Sequence, residues 1–126
     1  MRVLLDANAF MMAYQFRVDI FTGINELIGS FQPITLPSVE KELKNLAKKR
    51  GSAGSAARYG LLFLPETDIC EEEPDLGTVD EKILKYATDN QCLVVTNDRL
   101  LKNRLLERGI GVISLKNKKI LELFRR

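Results

Sequence analysis

Short apolar runs alternate with longer amphipathic stretches along the whole chain, and this alternation limits the fold more than any other feature. Arg2–Leu5, Pro33–Leu36, Thr67–Cys70, Cys92–Thr96 and Gly111–Leu115 read as strands. Between them, Asn8–Phe16, Asp19–Gly29 and Ser38–Arg50 carry helical periodicity, with Ser38 as an N-cap. The small-residue stretch Gly51–Ala57 leads into a further helix ending near Leu64. Thr78-Val-Asp-Glu81 is a capping box opening a helix that runs to about Asn90. Asp98–Arg108 reads as a helix stopped by Gly109, and Asn117–Phe124 as a closing basic helix. The order predicts a three-layer α/β/α fold around a mainly parallel sheet of about five strands. With 126 residues, 45% of them hydrophobic, and no repeat or long linker, residues 1–126 are expected to form one domain.

Several functions are excluded by what the chain lacks. No apolar run approaches the roughly 18 residues needed to span a bilayer. The opening MRVLLDANAF is interrupted by Asp6 and leads to no small-residue cleavage site, so it does not read as a signal peptide. The expectation is a cytoplasmic protein beginning at Met1. Cys70 and Cys92 belong to no CxxC pair, and buried free thiols are the expected state. Histidine is absent, which removes Ser-His-Asp triads, histidine acid–base pairs and histidine-liganded zinc. Hydrolytic chemistry here has to rest on carboxylates, and so on hard, oxygen-liganded metals.

The net charge of +2 conceals a division. Glu66–Asp75 holds six acids and no base, whereas the rest of the chain has 19 basic against 11 acidic residues, a balance of +8. From Asp98 to Arg126 there are nine basic and three acidic residues. Such a face suits a polyanion, although clustered lysines and arginines also occur on ordinary solvated surfaces.

In parallel α/β sheets the ligand crevice lies beyond the carboxyl ends of the strands, where the strand order reverses. Asp6 directly follows the first strand, and Asp98 stands two residues beyond Thr96. Helix capping is the plain reading for Asn8 and competes evenly with chemistry for Asp6; Asp98 too could simply start its helix. Asp80 precedes the apolar positions Ile83, Leu84 and Ala87 by three, four and seven residues, which puts its carboxylate on the buried face. First-turn acids gain only about 0.3–1 kcal/mol from the helix dipole, less than burying an unpaired charge costs. Asp80 therefore needs a partner or an opening. Glu42 borders the stripe Val39, Leu43, Leu46 and Ala47, but Glu40 borders its other edge, and helical geometry does not choose between them.

Leu4–Asn8 (LLDAN), Pro37–Leu43 (PSVEKEL), Val79–Ala87 (VDEKILKYA) and Val94–Leu105 (VVTNDRLLKNRL) resemble, in order and spacing, the four acidic motifs of the PIN-domain nucleases. The resemblance spans almost the whole chain. It selects Glu42 over Glu40 and implies that Asp6, Glu42, Asp80 and Asp98 are the catalytic acids of an endoribonuclease dependent on Mg2+ or Mn2+, leaving 5′-phosphate and 3′-hydroxyl ends. Asp6 and Asp98 would be the principal metal ligands, Asp80 a ligand or the holder of a second ion, and Glu42 the residue orienting water. Asn8 and Thr96 would support them. Arg99, Lys102, Arg104 and Lys49 are the candidate RNA-backbone contacts, each with a plain reading as a solvated side chain. Ala7 departs from the threonine that many relatives carry, which removes a secondary hydrogen bond there.

Tyr14–Phe21 (YQFRVDIF) is similar to the Fcf-type branch of archaeal and eukaryotic ribosomal-RNA-processing enzymes. That similarity implies single-stranded or structured ribosomal RNA as substrate. The PIN toxins of toxin–antitoxin pairs share all four acids, so a toxin ribonuclease is the main rival. A homodimer, and an antitoxin or ribosome-assembly partner, are compatible with either. A non-catalytic RNA-binding assembly module is a further alternative. A phosphoacceptor signalling domain fits less well, because Asp6 has no acidic neighbour.

Overall fold

The computed structural model describes Met1 to Arg126. Its elements are β1 (Arg2–Leu5), α1 (Ala7–Gln15), α2 (Ile20–Ile28), β2 (Gln32–Thr35), α3 (Pro37–Ala47), α4 (Gly51–Gly60), a 3-10 turn (Leu61–Glu66), β3 (Asp68–Ile69), α5 (Val79–Asn90), β4 (Leu93–Val95), α6 (Arg99–Glu107), β5 (Val112–Lys116) and β6 (Ile120–Phe124). The strands form one sheet in the order β3-β2-β1-β4-β5-β6, parallel except for β6. Val3, Leu4, Ile34, Val94, Val95, Val112 and Ile113 are fully buried, as expected for parallel strands covered on both faces. Helices α1–α4 pack with one another and α5 with α6. Right-handed crossovers place these groups on opposite faces, because the chain moves one way from β1 to β3 and the other way from β4 to β5. No helix is long and apolar enough to cross a membrane. Both cysteines are free, Cys92 buried and Cys70 half-buried.

Four aspects of the sequence reading are corrected. The closing segment is a strand rather than a helix, so the sheet has six strands. Asn117 and Lys118 adopt left-handed φ angles of 54° and 59°, and Lys119 N–H closes the turn on Lys116 C=O at 3.1 Å. Two consecutive left-handed residues reverse the chain into a hairpin. Along β6, side chains then alternate. Leu121 packs towards Gly23 of α2, where a Cβ would come within 2.8 Å of Leu121 Cδ1, and Phe124 lies under Lys102 of α6. The run Ile120, Leu121, Leu123, Phe124 imitates helical spacing although Leu121 and Phe124 point to opposite faces of this edge strand and Ile120 is exposed.

The second correction concerns α3. Pro37 is its first residue and Leu36 its N-cap, so Ser38 lies inside the helix. Third, the stretch Gly51–Ala57 is itself helical, as the start of α4. Fourth, Asn8 does not cap α1; Asp6 does, through a 2.8 Å bond from Ala9 N–H. Thr78 caps α5 as expected, accepting from Glu81 N–H at 3.2 Å, but the Glu81 carboxylate makes no return bond to Thr78 N–H, so the capping box is only half formed.

Left-handed φ at a residue with a Cβ is unfavourable by roughly 1–2 kcal/mol, whereas glycine adopts it freely. Lys118→Gly is therefore expected to stabilise the fold by about 0.5–1 kcal/mol after the entropy of the more flexible unfolded chain is counted. A rise in the denaturant midpoint with an unchanged slope is the expected result.

Candidate active site

Strands β1 and β4 are direct parallel neighbours, with Val3, Leu4 and Leu5 opposite Leu93, Val94 and Val95. The chain leaves β1 towards β2 and leaves β4 towards β5. The order thus reverses between them, and their carboxyl ends open the crevice that such sheets use for ligands. Asp6 stands at the end of β1, with its N–H 3.4 Å from Val95 C=O, and Asp98 follows β4. Hydroxyls of buried strand residues fix these ends. Thr35 donates to Leu5 C=O at 2.7 Å, and Ser114 donates to Thr96 C=O. The sequence reading missed both residues; their signal was a lone polar side chain inside an apolar strand.

Asp6 is 7% exposed. Burial pushes its carboxyl from the ordinary 3.8 up to about 7, against hydrogen bonds from the Thr96 hydroxyl and Ala9 N–H that favour the ionised form. The charges of Asp80 and Glu42 add to the rise. Half-buried Asp80, in the first turn of α5, is raised by burial and then by Asp98, with Arg104 acting in the opposite sense. Glu42 is raised by burial and by Asp80. Asp80 is thus the common neighbour: its charge raises Asp6 and Glu42, and the charge of Asp98 raises it.

Asp98 also serves as an N-cap, accepting from Leu101 N–H at 3.0 Å, while its own N–H donates to Thr96 Oγ1 at 3.1 Å. For Asp6 and Asp98, then, capping and membership of the acidic group are compatible. Glu40 is taken up by Lys44, 3.0 Å away on the next turn of the same helix, which leaves Glu42 as the glutamate beside Asp80. Asp80 and Glu42 act on Asp6, Asp80 on Glu42 and Asp98 on Asp80, but no three of the carboxylates converge tightly enough, as they stand, to hold one ion. Their donor set is oxygen only, with no histidine or cysteine among them, and suits a hard divalent cation such as Mg2+ or Mn2+.

Asn8 acts as a bridge. Its Oδ1 accepts from Asn97 N–H at 3.1 Å, and Asn97 Oδ1 accepts from Leu115 N–H at 2.8 Å. This chain of bonds ties α1 to the loop carrying Asp98 and on to β5. Asn97 was legible only as the middle of Thr96-Asn97-Asp98. Arg104 is near enough to Asp80 to act on its charge. Lys102 lies 3.3 Å over the ring of Phe124, whereas Arg99 and Lys49 are exposed. A concavity of about 810 Å3 lies elsewhere: it is lined by residues including Tyr14, Arg17, Ser52, Tyr59 and Phe63 at the far end of α1 and contains none of the four acids.

A family model described as a PIN-like domain matches residues 3–118. The chain is 31% identical over 116 residues to "Ribonuclease VapC9" of Archaeoglobus fulgidus, covering 91% of this chain and 83% of that protein. It is 27% identical over 128 residues to "Ribonuclease VapC4" of Methanocaldococcus jannaschii, covering 98% and 96%. Among solved structures, the PIN domain endonuclease Utp24 superposes with a TM-score of 0.81 at 24% identity, over 99% of this chain and 92% of that one. The complex VapBC2 from Rickettsia felis, bound to a DNA fragment from its promoter, has a chain that superposes with a TM-score of 0.68 at 16% identity, over 92% and 100%. At those identities the structural likeness is one of fold.

Proposed function

The chain belongs to the PIN-like domain family, and from that premise we propose that it is a metal-dependent endoribonuclease whose catalytic acids are Asp6, Glu42, Asp80 and Asp98. One observation supports the reading: Asp6 and Asp98 stand beyond the carboxyl ends of neighbouring strands where the strand order reverses, and Asp80 is coupled by charge to Asp6, Glu42 and Asp98. Burial first, and then the like charges of neighbouring acids, disfavour ionisation here, and the raised carboxyls of Asp6, Glu42 and Asp80 express both.

Bound Mg2+ or Mn2+ supplies the positive charge that lets these groups ionise together, and the Lewis acidity that activates water and stabilises a leaving oxygen. Asp6, Asp80 and Asp98 would hold the ion. Asp6 has one oxygen committed to Ala9 N–H and is anchored by Thr96, so it offers a rigid ligand. Asp98 is similarly fixed through Leu101 N–H and Thr96 Oγ1. Glu42, exposed and beside Asp80, orients the attacking water. Asn8 keeps the Asp98 loop in register through Asn97. Arg104, beside Asp80, offers a planar donor to the scissile phosphate, while Arg99, Lys102 and Lys49 add contacts to the backbone away from it.

The decisive assay is cleavage of an unstructured RNA by the purified chain with Mn2+, with Mg2+ and with EDTA. Asp98→Asn is expected to slow cleavage roughly a hundredfold or more, and EDTA to stop it. Equal rates in Asp98→Asn, or undiminished cleavage in EDTA, would refute the mechanism.

For the biological role, two readings have separate support. Similarity to the two VapC ribonucleases favours a toxin with an antitoxin partner. The Tyr14–Phe21 segment, which resembles the Fcf-type branch, favours ribosomal RNA processing. Growth arrest on expression, relieved by a neighbouring gene product, is the result expected of a toxin. Accumulation of an uncut ribosomal RNA precursor on depletion is the result expected of a processing enzyme.

A further inference from the structure

The acidic segment between β3 and α5 has one member turned inward. Glu72 has a side chain only 9% exposed, and its carboxylate meets the first turn of α3. Ser38 N–H donates to Glu72 Oε1 at 2.6 Å, and the Ser38 hydroxyl lies 2.8 Å and 2.6 Å from the two carboxylate oxygens. Lys82 of α5 completes the group. Its Nζ donates to Ser38 Oγ at 3.1 Å and lies 3.6 Å from Glu72 Oε2, with a side chain 13% exposed.

Local sequence explains why α3 needs Glu72. Its N-cap, Leu36, has no side-chain acceptor, and Pro37 has no N–H to satisfy. The N–H of Ser38 would otherwise lack a partner at the positive end of the helix. A carboxylate from a distant loop does the work that an Asp or Ser N-cap does elsewhere. That carboxylate also recruits Lys82.

The position of this cluster gives it a second consequence. Ser38 lies one turn before Glu42, on the same side of α3, and Lys82 lies two residues after Asp80. The Lys82–Ser38 bond is the only hydrogen bond or ion pair between α3 and α5. The same two helices carry Glu42 and Asp80, whose charges repel. Without a tie, that repulsion would tend to spread the helices apart and open the crevice.

We propose that Glu72, Ser38 and Lys82 form a positioning clamp that sets the separation of Glu42 and Asp80, and through it the affinity of the acidic crevice for its divalent ion. The clamp rests on the metal-dependent reading of these acids. It acts through α3 and α5 and does not touch the ion or the RNA.

The test is Mn2+ binding to metal-stripped protein, followed by the loss of the free-ion electron paramagnetic resonance signal, alongside cleavage over a range of Mn2+ concentrations. Ser38→Ala, Glu72→Gln and Lys82→Met are each expected to raise the apparent Mn2+ dissociation constant about tenfold, as the loss of outer supporting partners does at metal sites. Saturating Mn2+ should restore most of their cleavage rate. Ser38→Thr, which keeps the hydroxyl, should bind like the unaltered chain, and so should Asp75→Asn, which removes an exposed acid of the same loop. Lys82→Met is the sharpest variant, because deleting a nearby positive charge would by itself tighten cation binding. Tighter binding in Lys82→Met, or unchanged binding in folded Ser38→Ala and Glu72→Gln, overturns the clamp while the metal site stands. An unaltered chain that takes up no more Mn2+ than Asp6→Asn overturns both.

Discussion

Asp6→Asn is expected to lower cleavage about a thousandfold while making the metal-free protein more stable, an unusual pairing for a buried residue. The amide keeps the shape of the carboxyl and an oxygen able to accept from Ala9 N–H, so the α1 cap survives. It also retains a partner for the Thr96 hydroxyl. What disappears is a negative charge held in a site 7% exposed and repelled by Asp80 and Glu42. A carboxyl raised from 3.8 to about 7 costs the folded state on the order of 4 kcal/mol above neutral pH. The neutral side chain should recover part of that, roughly 2 kcal/mol, when unfolding is measured in EDTA at pH 8. Asp6→Ala should recover less, because losing the cap costs about 1 kcal/mol. Destabilisation by asparagine at pH 8 would mean that the charge is compensated in the fold, and the account of the site would be wrong. Retained cleavage would remove Asp6 from the catalytic set.

The acids were legible in the sequence to different degrees, and the reasons are physical. Strand ends can be read from local hydrophobicity, so Asp6 and Asp98 could be placed before the neighbouring of β1 and β4 was known. Asp80 followed from spacing to Ile83, Leu84 and Ala87, all buried in the structure. Glu42 and Glu40 were equivalent by helical geometry, because the choice depends on a partner 38 residues away in sequence from Glu42 and on a lysine one turn from Glu40. Long-range polar bonds were the least legible. Nothing near Ser38 announces Glu72, and nothing near Asn8 announces Asn97. The same limit explains β6. Leu121 meets α2 on one face and Phe124 meets Lys102 of α6 on the other, and a one-dimensional pattern cannot separate that from a single helical stripe. The turn that decides it depends on the left-handed backbone of Asn117 and Lys118, where lysine is no turn signal.

The metal-free protein is expected to lose stability as the pH rises from 5 to 8, and a divalent ion should restore it. Asp6 has a folded value of about 7 against an ordinary 3.8, so the folded state holds the proton more tightly than the unfolded chain. The stability tied to that proton is fully present below the unfolded value. It declines as the pH rises and is gone once the pH has passed the folded value. Between pH 5 and pH 8 the loss from Asp6 should be about 2–3 kcal/mol. Glu42 and Asp80 are raised too and act with the same sign, while Arg104, facing Asp80, moderates it. Mg2+ or Mn2+ inverts the dependence, since the ion binds the ionised acids and competes with their protons. An ion at a hundred times its dissociation constant adds about 2.7 kcal/mol, enough to offset the Asp6 deficit at pH 8. Urea midpoints measured at pH 5 and pH 8, each in EDTA and in saturating Mn2+, separate these contributions. Asp6→Asn should flatten the EDTA profile, because the amide has no proton to lose. Stability that rises with pH in EDTA would mean that the crevice already contains the counter-charge its carboxylates need, and a cation would then have no electrostatic reason to bind there.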